Sequence, residues 1–255
     1  KMKSDNLVKT LNKYPYYKII KNFEKTDDVL KDKFLTFAKQ LGPLRVQNSK
    51  KDKIVEIRPN LKKIKFLVRK KKNIKSVLRY HQTNLGGSIH SDGPQLDSPP
   101  KYVIMVCENK SVRGGNSILV NTKRIYNYLN KYKRDNLMIL KKKFLFERRG
   151  FNYKNDNLFS KPIFLNVKGK FIFRYLRDYI EKGFKIKKRK ITKVQKESLD
   201  LLDGLLQSNK FCKRLKLNRG DLLVLNNHIL AHGRTSFKIN SKKKANRKLY
   251  RIWLN

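Results

Sequence analysis

The chain has 255 residues, of which 39% are hydrophobic and 11% aromatic, so it can bury a sizeable core and is not disordered throughout. No apolar run approaches the roughly 20 residues that a membrane-spanning helix needs, and the first residues lack the apolar core of a signal peptide. The formal net charge of +45 admits a nucleic-acid-binding protein but does not establish one, because the lysines are spread along the whole chain.

The basic segments separate otherwise normal apolar stretches, as in RKKKNIK at 69–75 and SKKKANRK at 241–248. We interpret them as a lysine-rich coding bias on solvated faces, where lysine stems cover apolar surface and their charges stay in water. Two cysteines, Cys107 and Cys212, are too few for a disulfide framework, and the sequence has no CxxC metal motif. We therefore expect a cytoplasmic protein with reduced thiols.

The first elements along the chain are a strand, a helix and a second strand. Residues 16–20, YYKII, are typical of a short strand. Residues 27–41 carry apolar side chains at helical spacing; Thr26 or Asp27 can cap this helix, and Gly42 followed by a proline ends it. Residues 53–59 alternate as a strand does.

Two more strands follow, at 101–108 and 117–120, separated by a loop that contains Gly114 and Gly115. They form either a hairpin or neighbours in a sheet. Thr122 can cap the helix that comes next.

The second half continues the mixture of strands and helices. The predicted elements are strands at 161–167 and 170–176 joined at Gly169, an amphipathic helix at 193–207 interrupted by Gly204, a strand within 219–234 that ends in polar residues, and a closing strand at 247–254. The sequence has no internal repeat and no Pro/Ser-rich linker. One domain over 1–255, with a β core and helices around it, is the simplest architecture, and short strands between turns favour a sandwich or barrel over a parallel sheet.

The stretch LGGSIHSDGP at 85–94 places His90 and Asp92 two residues apart, so in an extended segment both side chains point to the same face. Alone, this pair is typical of structural or solvated polar residues. A third ligand is available from His228 or His232, which follow the apolar stretch GDLLVL. Two imidazoles and one carboxylate on one face of an octahedral ion leave three positions open, which suits non-haem iron(II) that binds a chelating co-substrate and dioxygen. Zinc more often recruits three histidines or cysteines.

Three segments in this order carry a resemblance: IHSDGPQLDSPPKYVIMVCENKSVRGGNSILV, GDLLVLNNHILAHGRTSF and RKLYRIWL. Together they resemble the Fe(II)/2-oxoglutarate-dependent dioxygenases of the taurine dioxygenase and clavaminate synthase-like superfamily, over most of the chain. The resemblance implies a mainly β fold with flanking helices, in which the core is a double-stranded β-helix, also called a jelly roll or cupin-like core. It also implies Fe(II) as cofactor, with 2-oxoglutarate as co-substrate and O2.

The resemblance assigns the metal ligands to His90, Asp92 and His232, since the family's distal histidine directly precedes a Gly-Arg pair. His228 remains the competing candidate. His81 has no counterpart and is interpreted as structural or surface.

For the co-substrate, Arg247 matches the family's arginine that binds the distal carboxylate of 2-oxoglutarate, and Ser117 matches a hydroxyl, usually of threonine, on the same carboxylate. A guanidinium binds a carboxylate in bidentate fashion, which lysine cannot do. Arg251 matches an arginine that reaches the keto-acid end or the substrate. The alternative for both arginines is ordinary surface charge, and Trp253 is expected in the core.

The resemblance implies an oxidoreductase that couples oxidative decarboxylation of 2-oxoglutarate to hydroxylation, or a related C–H oxidation, of a small substrate. The positive charge of the chain favours an anionic or zwitterionic molecule. Halogenating relatives lack the carboxylate ligand, so the presence of Asp92 favours hydroxylation, desaturation or ring closure. For Arg174, contact with an anionic substrate and a salt bridge with Asp178 are equally favoured. The alternatives are a basic nucleic-acid-binding protein or nucleic-acid-directed oxygenase, and a catalytically inactive jelly-roll binding protein; a membrane partner is not expected.

Overall fold

The described part of the chain folds into α-helices and antiparallel strands. The computed structural model describes residues 4–74, 78, 80–87, 89–148, 157–239 and 246–255. The helices are α1 (Ser4–Leu11), α2 (Asp27–Leu41), α3 (Leu61–Arg69), α4 (Thr122–Tyr132), α5 (Arg134–Leu140), α6 (Arg177–Ile186) and α7 (Lys193–Gln207), with a 3-10 helix at Tyr80–Gln82. The strands are β1 (Tyr17–Ile20), β2 (Leu44–Arg45), β3 (Ile54–Ile57), β4 (Tyr102–Asn109), β5 (Ser117–Asn121), β6 (Lys143–Glu147), β7 (Leu158–Pro162), β8 (Phe164–Val167), β9 (Lys170–Phe173), β10 (Cys212–Leu215), β11 (Leu222–Asn226), β12 (Leu230–Arg234) and β13 (Lys248–Leu254). Within these ranges no helix is both long and apolar enough to cross a membrane.

The larger sheet brings strands from both ends of the chain together. Its order is β1-β11-β4-β13-β2, and β3 also pairs with β13. The register places Leu225 opposite Val103, and Arg251 opposite Met105. The central strands β4, β11 and β13 are buried along most of their length, as apolar strands covered on both faces are.

The smaller sheet has the order β10-β5-β12. In its register His232 on β12 lies opposite Leu119 on β5, and Arg234 lies opposite Ser117. An isolated antiparallel bridge between His90 and His232 attaches the segment before β4 to the free edge of β12.

The two faces of β4 pack against different partners because successive side chains of a strand point to opposite sides. Val103 and Met105 belong to the same buried cluster as Leu119 of the smaller sheet, so the two sheets face each other there. Ile104, on the other face, packs with Phe34 of α2, which is fully buried. Burial of a side chain of this size stabilises the fold by about 1.5–3 kcal/mol.

A third cluster joins α4, α5 and α7 to the hairpins β6-β7 and β8-β9 on the outer side of the smaller sheet. It includes Ile125, Leu140, Phe144, Phe164 and Leu202, each of them at most 1% exposed. Helices therefore cover the outer side of both sheets, and the space between the sheets is left for the site.

The predicted mainly β architecture with flanking helices is confirmed, and several elements lie where the sequence predicts them. Helix α2 spans the predicted residues 27–41, although the side chain of Thr26 makes no capping hydrogen bond. Helix α7 spans 193–207 and continues through Gly204 without the predicted interruption, and Thr192 forms a capping box with Gln195.

Two predictions about the strands were wrong. Strands β4 and β5 form neither a hairpin nor neighbours, because the loop after residue 109 carries the chain from the larger sheet to the smaller one. The predicted strand 161–167 is divided: residues 161–162 end β7 and pair with β6, whereas β8 begins at Phe164 and forms the hairpin with β9 through the turn at Gly169.

Candidate metal centre and its cavity

Backbone pairing places two histidines from distant parts of the chain side by side. The amide of His90 donates to the carbonyl of His232 at 2.9 Å, and the amide of His232 donates to the carbonyl of His90 at 2.7 Å. The two rings consequently lie 4.7 Å apart between centroids. Asp92 follows two residues after His90, at a bend, and its carboxylate reaches both histidines.

The three side chains converge on one point. Nε2 of His90 lies 3.7 Å from Oδ1 of Asp92, and Nε2 of His232 lies 3.7 Å from Oδ2. One potential ligand atom from each residue falls within 4.8 Å of the other two, and all three residues are buried. His228, the competing candidate, lies outside this cluster, and its Nε2 is 3.2 Å from the carbonyl of Pro99.

The donor set fits a divalent metal ion. Burial lowers the pKa of His232 to about 3, so its imidazole is neutral and has a lone pair to offer. Burial pushes the pKa of Asp92 up, but the charge of Arg251 and the other polar neighbours outweigh it, and the net pKa lies below the usual value. Two imidazole nitrogens and one carboxylate oxygen, buried together, match the facial set that holds iron(II) with open positions.

The backbone around Asp92 is held by Asn227, a residue that the sequence analysis missed. Asn227 is fully buried just after β11. Its Oδ1 accepts from the amide of Asp92 at 2.8 Å, and its Nδ2 donates to the carbonyls of Asp92 at 3.0 Å and Pro100 at 2.9 Å. A polar pair at the end of an apolar strand, LLVLNN, is the only sequence signal that points to it.

Two residues of β13 hold the carboxylate of Asp92. Nη1 of Arg251 donates to Oδ1 at 2.8 Å, and Nε of the same guanidinium donates to Oε1 of Gln47 at 2.9 Å. Nε1 of Trp253 donates to Oδ2 at 2.9 Å. Trp253 is buried as the sequence analysis expected, but it is also a polar partner of Asp92, which that analysis did not foresee.

The cluster lies on the wall of a cavity of about 330 Å³ that also takes in Ser117, Arg247 and Arg251. Ser117 is two residues along β5 from Leu119, the partner of His232. Nε of Arg247 donates to the carbonyl of Gly115 at 3.2 Å, which places this arginine near the same end of β5. The cavity therefore has the three candidate ligand side chains at one place, and an arginine and a hydroxyl lie at another place along the strands.

Gly115 is required where it stands. It has a φ of +71°, and a Cβ built there would lie 3.0 Å from Cδ of Arg247 and would contact the hydroxyl of Ser111. A side chain at this position would strain the turn and displace Arg247.

The structure also shows where two further candidate residues lie, His81 and Arg174. His81, interpreted as structural or surface, is half-buried on the cavity wall. Arg174 donates to the carbonyl of Asp97 at 3.1 Å, and no ion pair between Arg174 and Asp178 occurs in the described ranges. Asp178 and Lys182, one turn apart on α6, both line the cavity.

The family model described as taurine catabolism dioxygenase TauD, TfdA family, matches residues 19–253. Gamma-butyrobetaine dioxygenases of Homo sapiens and Pongo abelii are each 29% identical to this chain over 158 residues, which is 59% of this chain. The match spans 40% of the length of these curated relatives.

Solved structures show the same fold. An asparagine oxygenase in complex with Fe(II), 2S,3S-3-hydroxyasparagine and succinate has a TM-score of 0.73 at 13% identity, covering 98% of this chain and 78% of that one. The non-heme iron oxygenase OrfP with Fe and alpha-ketoglutaric acid has a TM-score of 0.65 at 11% identity, covering 98% and 79%. A taurine dioxygenase from Burkholderia xenovorans has a TM-score of 0.64 at 14% identity, covering 98% and 80%.

Proposed function

Because this chain belongs to the TauD/TfdA dioxygenase family, we propose that it is an iron(II)- and 2-oxoglutarate-dependent dioxygenase. The observation that carries the proposal is the convergence of His90, Asp92 and His232, all buried, on the wall of the 330 Å³ cavity. When bound, iron(II), 2-oxoglutarate and O2 supply the oxidising power for a C–H bond of the substrate, with succinate and carbon dioxide as co-products.

The residues of the chain bind and orient the reactants. His90, Asp92 and His232 would hold the iron and leave its other positions to the co-substrate and O2. We propose that Arg247 and Ser117 bind the far carboxylate of 2-oxoglutarate, since they lie together on the cavity wall at a distance from the ligands. Arg251 lines the same cavity, and its guanidinium donates to Asp92 at the cluster itself; we propose that it also contacts the keto-acid end of 2-oxoglutarate or the substrate.

The cavity favours a small substrate that carries both charges. Beyond the proposed ligand and co-substrate residues, its wall contains Asp178 and Lys182 of α6, together with Gln95. A volume of about 330 Å³ is at the small end of the range for ligand pockets. The similar proteins carry names that refer to asparagine, arginine derivatives, taurine and gamma-butyrobetaine, which are small charged molecules. We propose hydroxylation of such a zwitterionic or anionic molecule; the nucleic-acid alternative has no support.

Three further proposals concern the number of domains, the type of β fold and the cellular location. We propose that residues 1–255 form one dioxygenase domain, because β1 near one end and β13 near the other belong to the same sheet. The two facing sheets would be the two sides of a jelly roll. Cys107 and Cys212 are both free, which supports a cytoplasmic location; cell fractionation tests it.

Anaerobic reconstitution tests the function. The wild-type protein with Fe(II) and 2-oxoglutarate should develop the visible charge-transfer absorbance of the chelate, and under air a panel of asparagine, arginine, taurine and gamma-butyrobetaine should be screened for coupled succinate release. We expect Asp92→Ala to lose the absorbance and the activity, because the anionic ligand is removed. The matched control is Asp97→Ala, which removes an exposed carboxylate five residues away and should change neither. An Asp92→Ala protein with normal iron content and normal turnover would contradict the assignment.

A further inference from the structure

The carboxylate of Asp92 is bonded at both oxygens by one strand. Arg251 donates to Oδ1 and Trp253 donates to Oδ2, at 2.8 and 2.9 Å. Residues 251 and 253 are two apart on β13, so their side chains project from the same face of the strand. All three residues are buried.

Two hydrogen-bond donors restrict the orientation of the carboxylate more than a single donor does. A carboxylate bonded at a single oxygen can still rotate about its Cβ–Cγ bond, whereas one donor on each oxygen fixes the plane of the group. Each carboxylate oxygen has two lone pairs, so neither hydrogen bond removes the capacity to bind a metal. The fixed plane places Oδ1 3.7 Å from Nε2 of His90 and Oδ2 3.7 Å from Nε2 of His232.

The two donors differ in charge. The guanidinium of Arg251 offsets the negative charge of Asp92, whereas the indole N–H of Trp253 is a neutral donor that has no acceptor function. An indole holds the carboxylate without adding a second cation beside the metal site. If position 253 served packing alone, a side chain without a polar atom would suffice, since a buried indole N–H needs a partner.

We propose that Trp253 is a positioning residue for the candidate metal centre, whose indole N–H fixes the Asp92 carboxylate in its metal-binding orientation. The inference rests on the proposed function in that it takes Asp92 as a metal ligand. Partners that orient a ligand in this way typically account for about 10–100-fold in metal affinity. Trp253 is also the only tryptophan of the chain, so its fluorescence reports on this site alone.

The test is an anaerobic titration of the metal-free full chain with Co(II), followed by visible absorption of the bound metal and by Fe(II) competition. Trp253→Phe keeps an aromatic side chain but removes the pyrrole part of the indole with its N–H, and we expect it to bind Co(II) about 10–100-fold more weakly than wild type. The matched control is Tyr250→Phe on the same strand. It removes a hydroxyl that bonds to Glu108, among residues packed on the other face of the sheet, and should leave the affinity unchanged. In the wild type, Co(II) should alter the tryptophan emission, and in Asp92→Ala it should not.

The outcomes separate the two proposals. A wild-type protein that binds neither Co(II) nor Fe(II) would overturn the proposed function together with this inference. A wild type that binds metal, beside a folded Trp253→Phe protein of equal affinity, would overturn the inference alone. If Trp253→Phe does not fold, replacement of the single tryptophan by benzothienylalanine in an auxotroph substitutes sulfur for the N–H in the same shape, and equal affinity there is again the refuting result.

Discussion

Replacement of Asn227 by alanine should destabilise the protein more than the loss of one small polar side chain ordinarily does. The change removes three hydrogen bonds of 2.8, 3.0 and 2.9 Å. It leaves the amide of Asp92 and the carbonyls of Asp92 and Pro100 without these partners in a fully buried place. Each such group costs about 1–3 kcal/mol. Because a water molecule can enter the space and recover part of this, we expect a total loss of about 3–5 kcal/mol in the free energy of unfolding.

Urea denaturation followed by circular dichroism measures this loss. The matched control is Asn166→Ala on the hairpin β8-β9, where the side chain is exposed and the change should stay within about 0.5 kcal/mol. Asn227→Asp is a second test, since it keeps the acceptor but loses the two donors and puts a charge near two carbonyl oxygens. A free energy of unfolding for Asn227→Ala within about 1 kcal/mol of wild type would refute the idea that this residue holds the Asp92 segment.

Two further predictions concern the co-substrate and pH. Arg247→Lys keeps the positive charge but loses the planar guanidinium that can form two hydrogen bonds to one carboxylate, so the variant should bind 2-oxoglutarate about 10–100-fold more weakly in calorimetry with Fe(II) present. The control variant Arg113→Lys, on the exposed loop, should bind 2-oxoglutarate as wild type does. Equal affinities of Arg247→Lys and wild type for 2-oxoglutarate would contradict the proposed co-substrate site. Burial lowers the pKa of His228 to about 4, below its value of about 6.5 in the unfolded chain, so protonation favours unfolding. The difference in free energy of unfolding between wild type and His228→Gln should therefore be largest above pH 6.5 and should decrease by up to about 3 kcal/mol as the pH drops towards 4. If urea denaturation gives the same pH dependence for both proteins, this reasoning is wrong.

Local patterns in the sequence were sufficient for helices α2, α4 and α7 and for the ligand candidates, whereas α1, α3, α5 and α6 were not predicted. The apolar spacings of 27–41 and 193–207 each depend on residues within one or two turns, and the structure has both helices at those positions. The HxD spacing likewise keeps His90 and Asp92 close together, because only one residue separates them. The choice between His228 and His232 needed the resemblance, because both follow the same apolar stretch.

The sequence by itself determined which residue types form the candidate site, namely two imidazoles, one carboxylate and the arginines of the last strand, and the spacing of those that are close in the chain. Only the tertiary structure decided that β4 and β5 lie in different sheets, that Asn227 holds the Asp92 backbone across a separation of 135 residues, and that Trp253 bonds to Asp92 across 161. The physical reason is that spacing in a helix or strand is set by local backbone geometry, whereas contacts between distant residues depend on which strands pair and in which register.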